Sequence, residues 1–124
     1  MAGLRQPGRN RELVTVTGDT TLTPHDMGKT YCNVGAVGSV TLTFPDPASC
    51  VPGSDVLCLS CADQILIVAC NEKILTLNNL AADSVALQTT SEKAGGGFLV
   101  TCVGTLWHIA PLTEETQTIT VATD

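Results

Sequence analysis

Apolar and polar residues alternate along most of this chain. Leu13–Thr17 (LVTVT) has the period of two expected of a half-buried strand, and Gly18-Asp19 turns it into Thr20–Thr23. Thr30–Val34 (TYCNV) is a short strand, and Gly35 and Gly38 bracket the turn after it. Ser39–Phe44 (SVTLTF) puts Val40, Leu42 and Phe44 on one face and ends at Pro45-Asp46-Pro47, because proline cannot donate to a strand ladder. Asp55–Cys61 follows the Pro52-Gly53 loop. Gln64–Cys70 (QILIVAC) is almost continuously apolar, as a strand covered on both faces would be. Asn71-Glu72 reads as a turn before Lys73–Leu77, and Asn78-Asn79 as another. Ser84–Gln88, a hairpin of Gly97–Val103 and Thr105–Ala110 around Gly104, and Gln117–Ala122 complete the pattern. No window of eleven or more residues has the apolar spacing and caps of a helix. About ten short strands at roughly 8–12-residue spacing predict an all-β fold, an antiparallel β-sandwich or jelly-roll-like domain.

Length and composition agree with one domain. The chain has 124 residues, 44% hydrophobic and only 15% charged, against about 25% charged in an average globular protein. Such a chain is too apolar for a disordered segment. The net charge of −6 argues against nucleic-acid binding driven by positive charge. The charge is unevenly divided. Arg5, Arg9 and Arg11 fall in an N-terminal stretch without acids, and everything from Glu12 onward holds 3 lysines and 12 acids. Residues 1–12 therefore read as an extended basic arm and residues 13–124 as a single β domain. The N-terminus lacks the apolar segment of a secretory signal. The longest apolar run, Ile65–Cys70, is far short of the roughly 20 residues that span a bilayer. The expectation is a chain made in a cytoplasm, with no membrane partner.

Six cysteines are present: Cys32, Cys50, Cys58, Cys61, Cys70 and Cys102. They read as free core thiols, with a disulfide or a metal site as alternatives. Cys58-x-x-Cys61 resembles half of a zinc site, but three positions along a strand place the two side chains on opposite faces. His25 beside Asp26 invites an acid–base reading, yet its setting, TPHDMG, is that of a loop. His108 and Trp107 are strand neighbours, so one belongs to the core and the other to the surface. Gly95-Gly96-Gly97 lacks the Lys and Ser or Thr of a phosphate loop and reads as a flexible turn. The carboxylates Asp19, Asp46, Asp55, Asp63 and Asp83 sit at turns as solubilising residues, and Glu114-Glu115 is the only adjacent acidic pair. No catalytic residue, cofactor or metal is assigned. The arginines of the arm are the one charged feature whose spacing suits an acidic partner surface.

From Thr21 to Leu112, about three quarters of the chain, the sequence resembles small virion proteins of tailed phages. The matching pieces are Asp26, Gly28–Thr30, Asn33–Ala36, Gly38, Val40–Pro45, Asp63–Ile67, Gly104-Thr105 and Trp107. They are turn glycines and strand patterns, with no catalytic signature among them. The pattern looks like that of the capsid decoration (cement, auxiliary) proteins of HK97-type heads. The resemblance implies a β-sandwich or jelly-roll-like body, bound as a homo-oligomer, a trimer before a dimer, to the outer surface of the capsid. There it would brace the capsomers of the major capsid protein after assembly in the host cytoplasm, without an enzymatic role and without direct nucleic-acid contact. Arg5, Arg9 and Arg11 are the expected capsid-contact residues. The second reading is a receptor- or carbohydrate-binding module of a phage tail, fibre or baseplate, which would display Trp107 and Tyr31 for stacking. A small hydrolase is a third, built on His25 or His108. The cysteines depart from the family pattern and leave the oxidation state open.

Overall fold

Ten strands form in the computed structural model, which describes residues 11–87, 95–113 and 119–123. They are β1 (Leu13–Thr15), β2 (Thr20–Thr21), β3 (Thr30–Cys32), β4 (Val40–Thr43), β5 (Asp55–Leu59), β6 (Leu66–Thr76), β7 (Asn79–Leu87), β8 (Gly97–Cys102), β9 (Trp107–Leu112) and β10 (Ile119–Ala122). Single 3₁₀ turns at Pro24–Asp26 and Pro47–Ser49 are the helical elements among the described residues. Each of these turns begins with proline, whose missing N–H and fixed φ suit a first helical position. No helix among the described residues is long and apolar enough to cross a membrane.

The all-β class expected from the sequence holds, but the pairing is mixed, where the alternation predicts an antiparallel sandwich or jelly roll. β1, β3 and β5 run parallel in one stack, and β2, β4 and β6 run parallel in another. The chain alternates between the stacks, so each connection within one stack is a strand of the other. This satisfies the need of parallel strands for a crossover without a helix. Antiparallel strands then close the stacks: β8 pairs β5, β7 pairs β6 and β10 pairs β7. β9 pairs β8 antiparallel and the last part of β6 parallel, joining all ten strands into one sheet.

The period-two pattern decides which faces are buried. Val14, Tyr31, Cys58 and Phe98 stand in register across β1, β3, β5 and β8. Val40, Leu66 and Leu87 do the same across β4, β6 and β7, as do Leu42, Val68 and Val85. All contribute to one hydrophobic cluster with Trp107 and Ile109. Full burial of such side chains stabilises by roughly 1.5–3 kcal/mol each before entropy is counted.

Two turns expected from the sequence change character. Asn71-Glu72 does not end a strand. β6 runs on through it as a wide bulge, taking five steps from Ala69 to Ile74 against two from Ser84 to Ala82 on β7. Glu72 takes a left-handed φ of 59°, and its N–H donates to Asp83 Oδ1 at 2.8 Å from the opposing strand. The hairpin turn lies one residue earlier than Asn78-Asn79. Thr76 pairs with Asn79, and Leu77 and Asn78 occupy the loop with φ of 45° and 69°. Two positive φ values in a two-residue loop are the type I′ pattern, which matches strand twist but suits Asn and Gly far better than Leu.

Candidate functional site

Arg11 and Glu12, the last residues of the stretch expected to form a basic arm, are fixed to the sheet. Glu12 accepts the N–H of Thr30 on its backbone carbonyl at 2.9 Å, and the Arg11 guanidinium donates to Asp55 Oδ1 at 2.7 Å. The two side chains keep 31% and 30% of their exposure, so the pair is a partly solvated tether worth about 0–1 kcal/mol. Of the three arginines expected to reach a partner, Arg11 is therefore held by its own chain, and Arg5 and Arg9 lie outside the described residues. Beside this pair, Lys29 Nζ contacts Asp26 Oδ1 at 3.1 Å and Glu12 Oε1 at 3.9 Å. Asp26 Oδ2 also accepts the Thr23 N–H at 2.8 Å and the Thr23 hydroxyl at 3.1 Å. The Thr23 backbone donor and the Lys29 ammonium hold the Asp26 carboxyl below its ordinary range. Burial and the Asp26 carboxylate push Tyr31 up to about 12, so the phenol stays neutral. The cluster is a set of satisfied charges at the start of the stacked strands.

The other residues singled out from the sequence do not converge. His25 is exposed on the first 3₁₀ turn and His108 is exposed on β9. Trp107 is the core member of its pair: its Nε1 donates to the Pro45 carbonyl at 2.9 Å, and its ring meets Phe44 edge-on, centroids 5.0 Å apart. No group of three His, Cys, Asp or Glu side chains among the described residues is placed to hold a metal ion. Glu114 and Glu115 lie outside the described residues.

Several turn carboxylates do more than solubilise. Asp19 Oδ1 accepts the Thr41 N–H at 2.9 Å, Asp46 Oδ1 accepts the Ala48 N–H at 3.0 Å, and Asp83 patches the β6 bulge. Each satisfies a backbone donor that the local geometry would leave open. Gly95-Gly96-Gly97 is likewise not a loose turn throughout. Gly95 N–H donates to the Ser60 carbonyl, Ser60 N–H donates to the Gly96 carbonyl, each at 2.7 Å, and Gly97 begins β8. Sequence reasoning missed Asn33, whose side chain is wholly buried and bridges two connections: its Oδ1 accepts the N–H groups of Cys61 at 2.6 Å and Ala62 at 3.1 Å. An Asn before Gly-rich sequence signals a turn, and nothing local shows that its amide reaches a segment 28 residues away.

The six cysteines are all free thiols, but they are not all core. Cys58 is fully enclosed, and burial pushes its thiol up to about 12. Cys61 lies just past the end of β5 and is exposed, and Cys50 is half-buried. Cys102 and Cys70 point their sulfurs at the carbonyls of Pro47 and Pro45, at 3.4 and 3.7 Å.

What the surface does display is apolar. Val37 is 93% exposed, Val51 73%, Leu80 72% and Leu77 55%, all at connections or strand ends where polar residues ordinarily stand. No protein-family model and no curated protein matches this chain.

Proposed function

We propose that this chain is a non-enzymatic structural protein of a tailed phage, a decoration protein. It would bind the outer surface of the capsid and brace neighbouring capsomers of the major capsid protein. The observation that carries this reading is the β6–β7 hairpin tip. Leu77 adopts a backbone conformation unfavourable for a branched apolar residue and remains largely exposed, three residues from the exposed Leu80. A strained apolar residue left largely exposed suggests a purpose at a contact. The resemblance of the turn and strand motifs to decoration proteins supplies the kind of partner. Binding only the assembled shell would stabilise it by mass action, and repeated weak contacts of a homo-oligomer would add avidity.

The reading as a carbohydrate-binding module of a tail or fibre is less well supported. Such modules stack sugars on exposed aromatic rings, and Tyr31, Phe44, Phe98 and Trp107 are each at most 4% exposed.

The test is to add the purified chain to undecorated heads of the phage that encodes it and to follow cosedimentation and thermal rupture. The proposal expects saturable binding and a higher rupture temperature. Heads that neither bind the chain nor gain stability refute it. A parallel deletion of residues 1–11 tests the arm: weaker binding supports a contact through Arg5 and Arg9, and unchanged occupancy removes the arm from the interface.

A further inference from the structure

We propose that the outer face of the half-sheet formed by β1, β3, β5, β8 and β9 is a two-fold interface against which a second copy of this chain packs. Alternation on these strands does not turn polar outside the core. Val56, Cys58, Phe98, Val100 and Ile109 fill the inner face, so period two sends Leu57, Leu59 and Leu99 to the outer one. Leu57 and Leu99 stand opposite each other across β5 and β8, with Leu13 at the far end of the same row on β1. In the next row Leu59 and Leu112 flank Gly97. Leu57, Leu59 and Leu99 are half-buried, and Leu13 and Leu112 are exposed. The hydrophobic cluster of the described residues includes none of the five. A sheet face open to water ordinarily carries polar side chains, and strands apolar on both faces are those covered on both. The other stack is the more polar one. In the rows shared by β4, β6, β7 and β10, Thr41, Thr43, Ser84 and Thr120 point outward, and Ile67 is the one large apolar side chain among them.

The rest of the chain lacks the composition to cover five leucines. Residues 88–94 and 114–118 hold one apolar residue between them, Ala94, and residues 1–10 offer Met1 and Leu4 beside two arginines. The face itself selects a like surface. Asp55 is the one charged residue among its strand positions, and the Arg11 guanidinium already pairs with it. A charged partner finds no complement there, whereas an identical leucine array offers matching ridges and grooves. The chain carries a net charge of −6, and two such bodies meet with least repulsion across a face nearly free of charge. Homodimer interfaces are also more apolar than transient ones between unlike proteins. Five strands about 4.8 Å apart and three rows about 7 Å apart make a plane of roughly 24 by 20 Å. Two such faces together bury about 1,000 Å², which is enough for a specific interface. A two-fold axis through the face pairs two copies, so the assembly is a dimer, where the resemblance to decoration proteins implies a trimer first. This dimer belongs to the free chain and does not rest on the capsid role.

Sedimentation equilibrium of the full chain over roughly 1–200 μM is expected to give twice the chain mass of 12.9 kDa, with dissociation on dilution. Leu57→Thr combined with Leu99→Thr keeps good strand formers at both positions and is expected to raise the dissociation constant at least about 100-fold. Leu112→Lys alters an already exposed side chain and weakens the dimer in the same direction. It carries the test if circular dichroism shows that the double variant fails to fold. Ile67→Thr on the other stack is the control and leaves the mass unchanged. A monomer at every concentration overturns the proposal, as does a trimer, or a dimer that the leucine variants do not weaken. A monomeric parent whose leucine variants lose binding to heads assigns the face to the capsid protein and likewise overturns it. A dimer that ignores heads upholds the interface and refutes the capsid role, and a monomer that binds heads does the reverse.

Discussion

The side-chain oxygen of Asn33 accepts the backbone N–H of Cys61 at 2.6 Å, from a position with no solvent exposure. That bond, with its companion to Ala62, ties the connection after β3 to the connection after β5 and holds two levels of the parallel stack together. Asn33→Ala leaves two N–H groups without their acceptor and is expected to cost about 2–4 kcal/mol. Urea unfolding followed by Trp107 fluorescence measures it, and a loss below about 1 kcal/mol would show that the bonds are replaced by water.

Gly97 faces a harder constraint. A Cβ there would overlap the Cys58 carbonyl oxygen, which belongs to the partner strand, so β5 and β8 would have to separate. Gly97→Ala is expected to destabilise by at least about 3 kcal/mol or to prevent folding. Gly53→Ala is the control, since Gly53 has a φ of +94° but open space around it, and should cost about 1–2 kcal/mol. Similar losses at both sites would contradict the packing argument.

The hairpin tip predicts opposite effects on stability and binding. Leu77→Asn relieves a left-handed leucine, because Asn tolerates that conformation, and should stabilise the isolated chain by about 0.5–1 kcal/mol. The same change removes exposed apolar surface and should weaken binding to heads. Thermal denaturation and cosedimentation read the two effects separately.

Asp26 gives a pH dependence with a defined sign. Its carboxyl is lowered in the folded chain from an ordinary value of 3.8. Its stabilisation is therefore fully present above that value and is lost as the pH falls through the lower folded value. Asp26→Asn should flatten the loss of stability below pH 3.8 while leaving the other carboxylates to titrate. Denaturant midpoints at several pH values, compared between the two proteins, check it.

Much of the strand pattern was legible because burial follows the alternation: Val40 and Leu42, and Trp107 against His108, fall on the faces that period two assigns. The parallel stacking was not legible. Leu13, Thr30 and Leu57 stand in register at separations of 17 and then 27 residues, so stacked strands leave no fixed period in the sequence. Antiparallel neighbours are the default when strands are short and no helix intervenes, and here the opposite stack takes the helix's place. The bulge at Glu72 was also hidden, because a polar pair that tolerates positive φ looks the same whether it reverses the chain or only kinks it. Of the candidate site, Arg11 could be read as a charge but not as a partner of Asp55, which is 44 residues away. The Asn33 bridge depends on stacking and could be seen only once the strands were paired.

The copy number of this chain in the purified virion tests the central claim most directly. Quantitative gel densitometry against the major capsid protein is predicted to give copies on the scale of the shell lattice itself. A few copies per particle would place the chain in a tail or baseplate and contradict the account, as would its absence from the virion.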